Sequence, residues 1–116
     1  MIAIKNTGNC LVFSIKNTQR LDFSVSDILM EKIEKELGYH RANNYAIDLE
    51  SIHFIDSHSF NILLQVNNML DRLGKKLYIL NVSESAKELF ELTGLNAVLT
   101  IVMEDMPMDK IACYEN

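Results

Sequence analysis

The chain has 116 residues, 48% of them hydrophobic, which is enough to bury one core and too few for two ordinary domains. A formal net charge of −5, with the basic residues scattered, offers phosphates no broad surface and argues against nucleic acid as a partner. The opening run has no apolar core followed by small residues, and no apolar stretch approaches membrane-spanning length, so a soluble cytoplasmic protein without direct membrane insertion is expected. Cys10 and Cys113 stand near opposite ends without CxxC spacing, which fits reduced structural thiols better than a zinc site or a disulfide framework.

In chain order, "IAIKN" and "CLVFSIK" are strand-like runs separated by "TGN", where glycine and asparagine can supply positive φ, and a hairpin is expected. Ser24 and Asp27 resemble a capping box. Beyond them Val25, Ile28, Leu29, Ile33 and Leu37 recur at helical spacing as far as Gly38, with Glu31 and Lys35 one turn apart. "YAIDL", Tyr45 to Leu49, and "LYILNV", Leu77 to Val82, are short apolar runs each followed by a helical pattern. That alternation predicts parallel, largely buried strands. The last of these helices starts near Ser83 or Ser85, carries Ala86, Leu89 and Phe90, and stops at Gly94 before the strand-like "AVLTIV". Pro107 is suited to the first position of a short terminal helix carrying Met108 and Ile111.

Between the first of those strands and its helix lies "HFIDSHSFNIL", His53 to Leu63, where an acid, hydroxyls and imidazoles crowd together. Asp56 and Ser57 fall where a helix from Phe60 to Leu73 must begin, so the cluster sits at a helix N-terminus, with capping the ordinary role for Ser57. A Ser-His-Asp hydrolase relay is disfavoured, because neighbouring residues on a helix point in different directions and no G-x-S-x-G elbow is present. A metal site built from His53, Asp56 and His58, with or without His40, lacks any diagnostic spacing. Catalytic residues, metal ligands and cofactors are therefore not expected. The third reading is a signal receiver, since free amide donors and the positive end of a helix dipole favour a phosphate there.

The segment "YAIDLESIHFIDSHSFNILL" resembles the core of STAS domains, the anti-sigma-factor antagonists, whose pattern is an apolar strand, D-L, a connection and F-x-D-S-[ST]-G-L at a helix start. The resemblance continues through "LGKKLYILNVSESAKELFELTGLNAVLTI", and Lys16 to Asp22 stands where the family has L-x-G-x-L-D. It implies an α/β fold over residues 1–116, a STAS-like single domain with a mixed four- or five-stranded β-sheet and helices packed largely on one side. It also implies a non-enzymatic regulatory module binding a protein partner, an anti-sigma factor or switch kinase. The alternative is a STAS subunit of a lipid-transport ABC system that binds its ATPase.

In that family the second hydroxyl residue after the aspartate is the phosphoacceptor, and here His58 holds that position, with Ser57 at the first hydroxyl position, Ser59 in place of glycine and Phe60 in place of leucine. An imidazole offers a serine or threonine kinase no hydroxyl. Ser57 and Ser59 are the substitute acceptors, although a one-residue shift turns the side chain by about 100° around the helix. The resemblance places Asp22 and Asp56 near the partner-contacting surface, while Asp48 has an ordinary role as a turn acceptor. On the helix, Phe60, Leu63, Leu64 and Leu70 form one apolar arc and Ile62, Val66, Met69 and Leu73 a second beside it. Either the helix is packed deep between neighbours, or the strip Ile62, Val66 and Met69 meets the partner together with Asp22, Asp56, Ser57, His58 and Ser59.

Overall fold

The expected hairpin forms from β1 (Ile2–Asn6) and β2 (Cys10–Ile15), which pair antiparallel with Ile4 opposite Phe13. Its loop closes through Thr7, whose amide and hydroxyl both donate to the Cys10 carbonyl at 2.9 and 3.1 Å, while Gly8 takes φ +88°. An L side chain there would strain the turn. The computed structural model describes residues 1–39 and 42–102. The tail helix expected at Pro107, with Cys113 and His40, lies outside the described residues.

A two-residue strand, β3 (Arg20–Leu21), leads into α1 (Phe23–Leu37). The helix begins one residue before Ser24, and its cap is Asp22, whose Oδ1 accepts from the Ser24 and Val25 amides at 3.1 Å each. The capping-box reading of Ser24 and Asp27 is thereby corrected. A carboxylate that satisfies two orphan amides and carries charge toward the positive helix end is the stronger cap. Next come β4 (Asn44–Asp48), a second two-residue strand β5 (Phe54–Ile55), α2 (Ser57–Arg72) and β6 (Lys76–Leu80). The next helix, α3 (Glu84–Thr93), is capped by the Ser83 hydroxyl and ends on Gly94 at φ +76°. The run "AVLTIV" yields only β7 (Thr100–Ile101), because residues Leu95–Ala97 first wind into a 3₁₀ turn.

Among the described residues the main sheet has five strands in the order β1-β2-β4-β6-β7, all parallel after the opening hairpin. Beside it, β3 and β5 pair parallel as a separate two-stranded ribbon. The ribbon is a new element, since two-residue strands carry no readable period.

Alternation along the strands sends Leu11, Phe13, Ile15, Tyr45, Ile47, Leu77 and Ile79 into one core cluster with Val25, Leu29 and Ile33 of α1, Phe60, Leu63 and Leu70 of α2, and Phe90 of α3. Phe60 and Phe90 meet edge to face with centroids 5.1 Å apart. Each such large side chain, fully buried, stabilises the fold by roughly 1.5–3 kcal/mol. The helices thus cover one face. On the other, a smaller buried cluster of Cys10, Val12, Ala46 and Leu80 is joined by Tyr78 and Val102. At the strand ends Asp48 accepts from Ser14 Oγ, the Glu50 amide and Asn81 Nδ2 at 3.3, 3.0 and 3.1 Å, the structural role expected of it.

Candidate functional site

The ribbon positions the site. Arg20 lies opposite Phe54 and Leu21 opposite Ile55, so the two strands run side by side, and each is followed at once by an aspartate and a helix. Pairing continues past the ribbon, with the Asp56 amide donating to the Leu21 carbonyl at 3.1 Å and the His53 amide to the Gln19 carbonyl at 2.8 Å. The starts of α1 and α2 are therefore fixed next to each other.

Asp22 serves only its own helix. Its Oδ1 takes the Ser24 hydroxyl at 2.8 Å besides the two amides, and these bonds, the hydroxyl first, hold the carboxyl below the usual aspartate value. Asp56 is divided between two helices: Oδ1 accepts the Ser59 amide of α2 at 2.8 Å and Oδ2 the Phe23 amide of α1 at 2.9 Å. Burial pushes Asp56 up and the Asp22 charge adds to that, yet the Ser59 and Phe23 donors prevail and its carboxyl too is lowered. The two amide bonds carry this effect, because Ser59 Oγ makes no bond of hydrogen-bonding geometry and is buried without a partner among the described residues. Asp56 thus caps α2 and ties it to α1. Ser57, one residue later, is in the helix and exposed, so it is not the cap.

His58 follows in the first turn, its side chain 49% exposed, with Nε2 2.9 Å from Asp27 Oδ1 on α1. Asp27, read from the sequence as part of a cap, instead spans the gap between the helices. His53 turns elsewhere, its Nδ1 3.4 Å from Ser85 Oγ. Among the described residues no group of three or more histidines, cysteines or acids could hold a metal ion, and no serine hydroxyl is bonded to the His58 ring.

Of the expected partner-contacting residues, Asp22, Asp56, Ser57 and His58 come together around the helix starts. Of the others, only Met69 keeps part of its side chain at the surface. Ser59 is 0% exposed, Val66 0% and Ile62 6%, and Met69 is half-buried against the core. Ile62 and Val66 of the strip expected to face a partner turn inward, because α2 packs against both α1 and β6, and two neighbours need two apolar arcs. The outward remnant of the second arc is Leu73, which is exposed.

Two aromatic residues at the site escaped the sequence reading. Phe23, 62% exposed, opens α1 beside Asp56, and Phe54, 39% exposed, lies under the Arg20 guanidinium at 4.4 Å from its ring centroid. Phe23 could have been found, since it falls outside the stripe Val25, Leu29, Ile33 that α1 buries. Phe54 had no such signal, because its outward direction depends on the ribbon. The arrangement offers exposed aromatic faces, two capping carboxylates, a hydroxyl and an imidazole at the starts of α1 and α2. No helix among the described residues is long and apolar enough to cross a membrane.

Comparison with known proteins bears on this arrangement. The model of the STAS domain family matches residues 1–105. An anti-sigma-B factor antagonist of Staphylococcus aureus (strain NCTC 8325 / PS 47) is 33% identical over 99 residues, covering 84% of this chain and 90% of that protein. Among solved structures, the anti-sigma factor antagonist SpoIIAA in its unphosphorylated form superposes with a TM-score of 0.77 over 100% of both chains at 17% identity. A sulfate transporter family protein from Wolinella succinogenes gives 0.67 at 14% identity, over 87% of this chain and 83% of that one. These two likenesses speak to fold alone. The mixed sheet of five strands and the three α-helices among the described residues are thus those of an anti-sigma-factor-antagonist-like domain, and the chain belongs to the STAS domain family.

Proposed function

We propose that this chain is a non-enzymatic regulatory module that docks an anti-sigma factor or a switch kinase on the surface formed by the starts of α1 and α2. Asp22, Asp56, Ser57 and His58 are its polar contacts, with Phe23 and Phe54 supplying apolar area. The observation that carries this reading is the exposed pair Ser57 and His58 at the start of α2, which Asp56 ties to α1, in a chain 33% identical to anti-sigma-B factor antagonists. Preformed surfaces bind with little ordering cost.

The regulation we propose follows from His58 standing where the family's acceptor hydroxyl stands. A serine or threonine kinase finds no oxygen there to phosphorylate. Ser59 is buried and needs local opening, and Ser57 lies about 100° around the helix from position 58. The module therefore stays in its binding-competent form, and its occupancy is set by its amount. Incubation with the cognate kinase and ATP, followed by mass spectrometry, should find no stoichiometric phosphate and undiminished partner binding. His58→Ser should create a new phosphorylation site at position 58. Stoichiometric phosphate on Ser57 or Ser59 of the unaltered chain, with loss of binding, would overturn the proposal.

A further inference from the structure

The loops that leave the carboxyl ends of β2 and β4 border an open depression lined by Asn17, Thr18, Gln19, Arg20 and Ser51. Ligands of sheets with parallel strands gather outside that end of the strands. The loop from β2 is held in one shape. Asn17 takes φ +62°, and Ser51 Oγ donates to the Ile15 carbonyl at 2.9 Å. The Gln19 carbonyl accepts the His53 and Phe54 amides at 2.8 and 3.2 Å, and Thr18 Oγ1 accepts the Arg20 amide and donates to the Arg20 carbonyl at 3.2 Å each. These bonds engage the carbonyls of Ile15, Gln19 and Arg20 and the Thr18 hydroxyl. Donors are left over: the amides of Asn17, Thr18 and Gln19 meet no acceptor among the described residues, and neither does the Arg20 guanidinium.

We propose that this depression binds the phosphate group of a small molecule, either free phosphate or a phosphate ester, with Arg20 as the principal contact. The guanidinium carbon lies 4.4 Å from the Phe54 ring centroid, so the stack fixes one face of the group and leaves its N–H edge to a ligand. That edge is the fork that matches phosphate oxygens in pairs. No ion pair among the described residues neutralises it. Asp22 feels the Arg20 charge, but its hydrogen bonds run to Ser24 and Val25 of α1. Successive amides along a turn make a concave donor set, and together with the fork they offer more N–H groups than the two oxygens of a carboxylate readily take. A phosphate group presents three strong acceptor oxygens.

The charge of the whole chain narrows the ligand. A net charge of −5 repels anions in general, so an anion held here is held by local geometry and not by the overall field. Lys16, exposed and next to Asn17, supplies a second positive charge, while Glu50 beside Ser51 opposes it. One phosphate suits that balance, and an extended polyanion does not. The loop from Asn17 to Gln19 and the Arg20 guanidinium are not among the contacts assigned to the protein partner. The inference needs no partner, so it and the docking proposal stand or fall separately.

The test titrates the full-length, isotope-labelled chain with sodium phosphate and, separately, with glycerol 3-phosphate at about pH 7.5, where a phosphate ester is largely a dianion. Sodium chloride at matched ionic strength is the control, and the amide and arginine Nε resonances are read by nuclear magnetic resonance. Saturable shifts of the Asn17, Thr18 and Gln19 amides and of Arg20 Nε, which chloride does not produce, are the expected result. Tighter binding of glycerol 3-phosphate assigns the site to an ester, and equal or tighter binding of phosphate assigns it to the free ion. Arg20→Gln should weaken binding at least about tenfold, roughly the worth of one charge-assisted hydrogen bond, and Arg20→Lys should fall between. Arg20 is exposed, so the dispersed spectrum of each variant verifies its fold. Shifts that rise linearly without saturating, that centre on residues away from this loop, or that persist unchanged in a folded Arg20→Gln overturn the proposal.

Discussion

The first turn of α2 and its body answer to opposite demands. In the first turn Ser57 and His58 are exposed, and the cap Asp56 reaches back to α1, so the sequence there is free to carry chemistry without cost to the core. Four residues on, the pattern tightens: Ile62, Leu63, Val66 and Leu70 are all buried between α1 and β6. The transition falls at Ser59, which is buried although it is polar. An apolar residue near a candidate interface is therefore no guide to the interface when its helix has neighbours on two sides.

The largest effect that could break this contrast lies in the helix body. Val66→Asp should lose several kcal/mol, about what an unpaired carboxylate costs in a core, and leave no cooperative melt at ordinary temperature. A variant that melts like the parent but fails to bind its partner would return Val66 to the surface. Next comes Asp56→Ala, expected to cost about 1–2 kcal/mol as the loss of a cap. It should also speed hydrogen exchange at both the Ser59 and Phe23 amides, whereas Asp22→Ala should affect α1 alone.

Acid titration sharpens the same point. Asp22 and Asp56 are both lowered in the folded chain, so their contribution is present above the ordinary aspartate value near 3.8 and is lost as the pH falls through the folded values. Urea melts between pH 6 and 3 should show this decline. It should be shallower in Asp56→Asn, which cannot titrate at that position.

Smaller still is the link between the helices, since His58 and Asp27 are both about half exposed. A double-mutant cycle of His58→Ala and Asp27→Ala should give a coupling of only about 0.2–1 kcal/mol, decreasing with salt. Smallest of all is Ser57→Ala. It should move stability by less than about 0.5 kcal/mol, because Ser57 is not the cap, and a larger loss would make it one.

Much of the fold can be read in the residues themselves. The hairpin around Gly8, the helix ending at Gly94 and the parallel strands Tyr45 to Asp48 and Leu77 to Leu80 follow from local turn chemistry and apolar runs, which act over a few neighbouring residues. The placement of Asp56, Ser57 and His58 at a helix start was legible for the same reason. Whether an apolar residue on α2 faces a neighbour or solvent was not. Val66 and Leu73 belong to one sequence arc, yet one is 0% and the other 56% exposed. The sequence by itself determined which segments are helix and strand and that polar groups gather at the start of α2. Only the tertiary structure decided that Asp56 holds two helices, that Asp27 meets His58 and that Phe54 lies under Arg20. Each of those contacts joins segments more than thirty positions apart in sequence, and burial and pairing at that range depend on which surfaces the packed sheet and helices bring together, for which a single chain segment carries no local period.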